Sequence, residues 1–453
     1  MYTTKTRITE NETVSVRSVP ADCRKERNME RNSVLYQQYT EILREELVPA
    51  MGCTEPISIA YAAAKCRALL GCEPERCVLE VSSSIIKNVK SVIVPNTGGR
   101  KGIETAVAAG IVGGDETAQL QVLAHMQPAQ IDRIEDYLKA TPILVKHAQN
   151  GIMFYIDITV WGKGHTARLA ISHHHTNIIR IEKDGCVLLD KTEDASAQSV
   201  SADRSVLSVE GIWDYVNSVA LEDVSDAISR QIDYNSALAK EGLTNRWGAQ
   251  IGRITQQQSN GDVRMLARAA AAAGSDARMN GCELPAVILS GSGNQGITAT
   301  MPVLVYAEHL GSTHEQLYRA LVLSDLVTIH QKTGIGSVSA FCGAVCAGVG
   351  AGCGIAYLQG ADYDVICHAI VNALAILSGM LCDGAKSSCA AKISAAVDAG
   401  IMGYTMYASG QQFYGGDGIV KKGVERSISS VCTVARDGMR ETNDLILEVM
   451  LQK

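Results

Sequence analysis

Cys342, Cys382 and Cys389 are the residues whose type and spacing promise the most chemistry. They stand in small, apolar surroundings: Phe341-Cys342-Gly343-Ala344, Leu381-Cys382-Asp383-Gly384 and Ser388-Cys389-Ala390. Three thiolates can hold three irons of a four-iron cluster and leave the fourth iron open. An open iron is a Lewis acid rather than an electron carrier, which suits a lyase. The segment Asp383–Ser388 between the last two cysteines reads as a loop able to wrap such a group. Two other readings stay open on spacing alone. The thiols can be inert core residues, as free cysteines often are, and Cys342, Cys346 and Cys353 form a rival triad.

Cys53, in Met51-Gly52-Cys53-Thr54-Glu55-Pro56, is different in kind. Thr54 suits an N-cap and Pro56 a first helical turn, which places Cys53 at a helix start. There the helix dipole lowers a thiol pKa and makes Cys53 a candidate base or nucleophile. Glu55 beside it acts in the opposite direction, so a packing role also stands. Two Gly-rich turns follow strand-like runs: Val94-Pro95-Asn96-Thr97-Gly98-Gly99 and Leu289-Ser290-Gly291-Ser292-Gly293-Asn294-Gln295-Gly296. Successive backbone N–H groups in such turns form anion nests, which makes Asn96, Thr97, Gly98, Ser292 and Asn294 candidate carboxylate binders. Plain turns are the alternative. In His173-His174-His175, neighbours on a strand point to opposite faces and cannot all reach one ion. His175 at the strand end is the one candidate for facing a substrate, against a solvated turn.

The elements that must position these residues read as an α+β architecture. Helical spacing covers Ser33–Val48, Thr54–Leu70, Ile103–Val112 and Pro128–Lys139, with strand character over Cys77–Val94. From Pro142 to Leu189 the pattern alternates, clearest in Met153–Val160 and Ala167–Ser172. The acidic, Ser-rich stretch Lys191–Arg204 reads as a linker. Beyond it, helices are expected over Val209–Arg230, Tyr234–Ala249, Asp262–Ala273 and onward to Met450. The expected organisation is a flexible tail over 1–32, an α+β domain over 33–204 with the Cys53 motif, and an all-α domain over 205–453 with the cysteine triad.

Composition narrows the function classes. A net charge of −7 without a dense basic stripe argues against a nucleic-acid partner and favours a small-molecule substrate. The polar start, Met1–Glu30, has no apolar signal-peptide core, so the fourteen cysteines are expected to be reduced in the cytoplasm. Thr333–Ala361 is uncharged and long enough for a bilayer, but its Gly, Ala, Ser and Cys content fits buried helices better than lipid. No membrane partner is expected. Apolar helices in the second domain allow a homodimer.

The Gly-Cys-Thr-Glu-Pro motif, the Pro-Asn-Thr-Gly turn, the Gly-Ser-Gly-Asn-Gln-Gly segment and the Cys-x39-Cys-x6-Cys spacing occur in one order. In that order the chain resembles the iron–sulfur-dependent L-cysteine desulfidases, relatives of the iron–sulfur L-serine dehydratases, over essentially everything after Ser33. The resemblance implies a [4Fe-4S] cluster on Cys342, Cys382 and Cys389, with Cys53 as the catalytic cysteine. Serine dehydratases carry a further cysteine near the C-terminus. Here the last residues are Glu448-Val449-Met450-Leu451-Gln452-Lys453, a departure that favours the desulfidase branch. Asn96 stands where many relatives are expected to have glycine. The implied reaction is β-elimination of L-cysteine to sulfide, pyruvate and ammonia. In it the substrate thiolate meets the open iron, its carboxylate a backbone nest, and its α-proton Cys53. A soft thiolate suits iron in a sulfide cluster, which favours cysteine over serine. An L-serine ammonia-lyase on the same cluster is the nearest alternative, and a non-catalytic iron–sulfur sensor or storage protein is the alternative of another class.

Overall fold

The structure is a computed structural model that describes residues 29–51, 54–152, 154–191, 202–336 and 339–451. The chain opens with α1 (Val34–Glu46), the short strand β1 (Pro49–Met51) and α2 (Thr54–Leu70). Then come β2 (Arg76–Val81), α3 (Ser83–Val89), α4 (Ile103–Gly113) and α5 (Pro128–Ala140). Five strands follow: β3 (Ile143–His147), β4 (Tyr155–Gly162), β5 (His165–Ser172), β6 (Ile178–Lys183) and β7 (Cys186–Asp190). Next are α6 (Val209–Ser218), α7 (Ser225–Thr244), α8 (Ile251–Gln257), α9 (Val263–Met279) and β8 (Pro285–Val287). The rest is helical: α10 (Gly293–Leu310), α11 (His314–Ile335), α12 (Gly343–Leu358), α13 (Tyr363–Leu377), α14 (Cys389–Ala408), α15 (Val424–Thr433) and α16 (Arg440–Leu451). The architecture is α+β.

The sheet has strand order β3-β2-β4-β5-β6-β7, with β2 and β3 parallel and every other pair antiparallel. Its apolar face is set by alternation. Ile156, Ile158 and Val160 of β4 are fully buried under α2, whereas Asp157 pairs with Arg168 across to β5 at 2.7 Å. The alternation in β4 and β5 is thus what seats the Cys53-motif helix on the sheet.

Two hydrophobic cores result, and the chain ends are exchanged between them. Tyr36, Tyr39, Ile42 and Leu43 of α1 pack into the helical core, while Leu447 of α16 joins the core under the sheet. The strand β1 pairs with β8, Ala50 opposite Ala286, and ties the two bodies together. Residues just before α1 are also anchored: Arg31 pairs with Asp223 at 2.6 Å. Most of the expected tail and of the Lys191–Arg204 linker lies outside the described residues.

Two element expectations are corrected. Cys77–Val94 is a strand only to Val81; Ser83–Val89 is a helix buried on nearly all sides. Burial all round erases helical periodicity, and Ile85, Ile86 and Val89 then mimic a strand. Likewise Val209–Arg230 is not one helix. It breaks at Val219, and α7 runs through Arg230 to Thr244. No helix among the described residues is long and apolar enough to cross a membrane.

The uncharged stretch supplies a close helix pair. A Cβ on Gly352 would stand 2.4 Å from the Gly400 carbonyl oxygen, and one on Gly400 would stand 2.0 Å from that of Gly348. Only hydrogen at these positions lets α12 and α14 touch backbone to backbone. The contacts run in parallel register, so the two N-termini lie side by side. Gly400→Ala is expected to cost about 1–3 kcal/mol by overpacking, read as a lower denaturant midpoint.

Candidate active site

Those two helix starts carry cysteines. Cys342 is the N-cap of α12 and Cys389 the first residue of α14. Cys382 is brought alongside by an antiparallel bridge between Phe341 and Leu381. In it the Cys342 N–H donates to Met380 O at 3.0 Å and the Cys382 N–H to Ala340 O at 2.6 Å. The α12–α13 hairpin between them is why residues so far apart in sequence are neighbours. All three thiols line one cavity, together with Glu55, Arg278 and Lys332. The rival triad is not assembled there. Cys346 and Cys353 are fully buried within α12 and line neither this cavity nor the next.

The electrostatics favour an anionic sulfur at Cys382. The Cys342 thiol hydrogen-bonds Cys382, which holds the Cys382 thiol well below the ordinary range and Cys342 well above it. Lys87 and the Gly384 N–H also favour the Cys382 thiolate. Burial pushes the Cys389 thiol up. Lys87 is almost completely buried, and its ammonium donates to Asn443 Oδ1 of α16 at 2.6 Å. Lys332 is buried too, and donates to the Gly336 carbonyl. Burial lowers the pKa of both lysines, and the neighbouring thiols oppose that. Lys87 thus acts on Cys382 and Lys332 on Cys342 and Cys382, beside the N-termini of α12 and α14. Among the described residues, no three His, Cys, Asp or Glu side chains form a group that could hold a single metal ion. Cys342, Cys382 and Cys389 line one cavity and are soft sulfur donors of the kind an iron–sulfur group takes.

A second cavity of about 360 Å³ adjoins the first and shares Glu55, Ser292, Gln295 and Lys332 with it. That volume falls in the range of small-molecule sites. Its wall includes all three histidines of the 173–175 run. His175 is packed edge-on to Phe154, with ring centroids 4.7 Å apart, and burial lowers its pKa. Ser292 is the N-cap of α10, and Asn294 Oδ1 accepts from Arg278 Nη1 at 3.1 Å. A Cβ on Gly293 would meet the Arg278 guanidinium at 2.3 Å, so glycine there lets the cation lie against the helix start.

The other Gly-rich turn is spent on itself. Asn96 Nδ2 donates to Leu123 O at 2.7 Å and Thr97 Oγ1 to Val94 O at 2.6 Å. Asn96, Thr97 and Gly98 line neither cavity, so the structure does not bring this expected carboxylate nest to the site. Cys53 lies outside the described residues, but the next residue is fixed: Thr54 Oγ1 donates to Gly291 O at 2.9 Å. The Cys53 motif and the α10 turn are thus joined. Arg278, Lys332 and Lys87 escaped the sequence reading. The available signal was a cation inside a small-residue or apolar run, as with Arg278 after Ala269–Ala273.

A family model described as the serine dehydratase alpha chain matches residues 117–448, well over half of the chain. The chain belongs to the serine dehydratase alpha-chain family. Its relatives include UPF0597 proteins of similar length. One from Desulfitobacterium hafniense is 54% identical, over 94% of this chain and 99% of that protein. Another, from Lachnoclostridium phytofermentans, is 45% identical over 92% and 100%, and one from Treponema denticola is 42% identical over 92% and 98%. Serine dehydratase alpha-chain membership makes this a lyase-type protein, in a family that generally depends on an iron–sulfur group.

Proposed function

We propose that the protein is an L-cysteine desulfidase, releasing sulfide, pyruvate and ammonia by β-elimination. The observation that carries this is one cavity lined by Cys342, Cys382, Cys389 and Arg278, which joins a soft-metal donor set to a carboxylate anchor. Cys342, Cys382 and Cys389 would hold a [4Fe-4S] cluster. When bound, that group supplies a Lewis acid for the leaving sulfur. Arg278 and the first N–H groups of α10 receive the substrate carboxylate, a charge-assisted pairing that also orients the α-carbon. Cys53 takes the α-proton, the Cα–H electrons form the Cα–Cβ double bond, and the Cβ–S bond breaks with sulfur leaving as sulfide. The aminoacrylate so formed tautomerises and hydrolyses in water to pyruvate and ammonia. Phe341, Met279 and Ile393 on the cavity wall limit water at the reacting carbon.

L-serine is the second reading, favoured by the description of the family itself. Parallel assays with L-cysteine and L-serine on anaerobic, iron-reconstituted protein separate the two. Pyruvate from L-cysteine in excess of that from L-serine supports the proposal; pyruvate from L-serine alone overturns it. Cys53→Ser is expected to retain its iron while turnover falls by about two orders of magnitude or more. Activity retained in that variant would remove Cys53 from the proton transfer.

A further inference from the structure

The turn that presents Ser292, Asn294 and Gln295 is held in a conformation the chain would not choose alone. Ser290 has φ +47° and Gly291 φ +74°, both left-handed, and Ser290 carries a Cβ. Such a backbone persists only where its surroundings over-determine it. Three bonds do so. Leu289 and Ser292 exchange backbone bonds of 3.1 and 3.0 Å across the turn. Thr54 takes the Gly291 carbonyl from one side. From the other side, the Ser290 N–H donates to Glu46 Oε2 at 2.8 Å. The second oxygen of Glu46 is occupied as well: Arg204 Nε donates to Oε1 at 2.8 Å, and Arg204 also pairs with Glu45 at 3.0 Å. The Glu46 side chain is only 13% exposed, so solvent screens this arrangement little.

We propose that Glu46 is a positioning residue of the active site. Clamped by Arg204, its carboxylate fixes the Ser290–Gly291 turn and through it the N-terminus of α10 that receives the substrate carboxylate. Glu46 sits at the end of α1, far in sequence from the cysteines, and acts through Ser290 rather than on reacting atoms. This rests on the L-cysteine reading above for its kinetic consequence, but not for its structural one.

The test compares wild type, Glu46→Ala and Glu46→Gln as full-length, iron-reconstituted protein. Two readouts are taken: amide hydrogen exchange over residues 289–296, and KM and kcat for L-cysteine. Loss of a hydrogen bond to a charged acceptor predicts roughly tenfold faster exchange in Glu46→Ala and a KM raised about tenfold, with iron per chain unchanged. Glu46→Gln keeps one acceptor for the Ser290 N–H but turns an amide NH2 toward Arg204, so both effects should be rescued only in part. Should Glu46→Ala not fold, Glu46→Asp carries the same expectation, since it keeps the charge but withdraws the carboxylate by one methylene. Unchanged exchange in the variant overturns the inference, as does an unchanged KM alongside faster exchange. If wild type does not turn over L-cysteine, the functional reading falls by itself, and exchange alone decides the role of Glu46.

Discussion

Cys382→Ala is expected to purify with almost no iron and to give no turnover, whereas Cys346→Ala should keep both; this contrast is the largest effect expected of any substitution. Cys382 shares the Phe341–Leu381 bridge with Cys342 and lines the cavity, so its loss removes one of three anchors and the negative charge that Lys87 and Lys332 face. With only Cys342 and Cys389 left, the protein would offer two of the three thiolates proposed to hold the cluster. Cys346 is one turn into α12, fully buried, with its thiol pushed up to about 12 by burial. It is a core thiol, and alanine there costs on the order of 1 kcal/mol in packing. Iron and acid-labile sulfide per chain, with the charge-transfer absorbance, measure the difference. Iron loss in Cys346→Ala with retention in Cys382→Ala would hand the cluster to the rival triad.

The second large effect is on stability and its pH dependence. Asp325 of α11 lies fully buried, and burial pushes its carboxyl up to about 8. Gln231 Nε2 donates to Asp325 Oδ1 at 2.9 Å, while Asp325 Oδ2 and Gln231 Oε1 have no hydrogen-bond partner among the described residues. One proton on Oδ2 would serve both atoms of the pair. In the unfolded chain the same carboxyl ionises near pH 4. Between about pH 4 and pH 8 the folded state therefore keeps a proton that the unfolded state has lost. Stability falls as pH rises through that window and levels off above it. Asp325→Asn removes the titration and supplies the missing donor permanently. The variant should match wild type near pH 4 and exceed it above pH 8 by several kcal/mol, on the order of 5 as an upper bound. Denaturant unfolding at a series of pH values reads this directly. A variant less stable than wild type at pH 8 would show that the ionised carboxylate is what the core accommodates.

How far the sequence reached depended on what each feature requires of its neighbours. The helices α1 and α5 were legible because one apolar face marks each, and α2 because Thr54 and Pro56 mark its start. The antiparallel sheet was legible because half-buried strands alternate. The buried helix Ser83–Val89 was not, since a segment apolar all round looks alike in both periods. At the site, spacing alone left Cys342, Cys382 and Cys389 level with the rival triad; the Phe341–Leu381 bridge and the helix starts are what gather these three at one cavity. Arg278 and Lys332 could not be read, because a cation on a helix declares nothing about whether its face meets solvent or a cavity. The Asn96–Gly98 turn failed for the converse reason. Its polar atoms look available in sequence, yet the loop folds back and consumes them at Val94 and Leu123. Glu46 is the extreme case: its role depends on a turn more than two hundred residues away.

We propose that this cavity holds a four-iron cluster that serves the elimination of sulfide from L-cysteine. The most direct measurement takes one anaerobic sample of the reconstituted protein, counts its iron, and follows sulfide and pyruvate from L-cysteine together. About four irons per chain and the two products in equal amounts are expected, with turnover lost when the iron is chelated away. Equal turnover by iron-free protein, or a full iron complement with neither product formed, would contradict it.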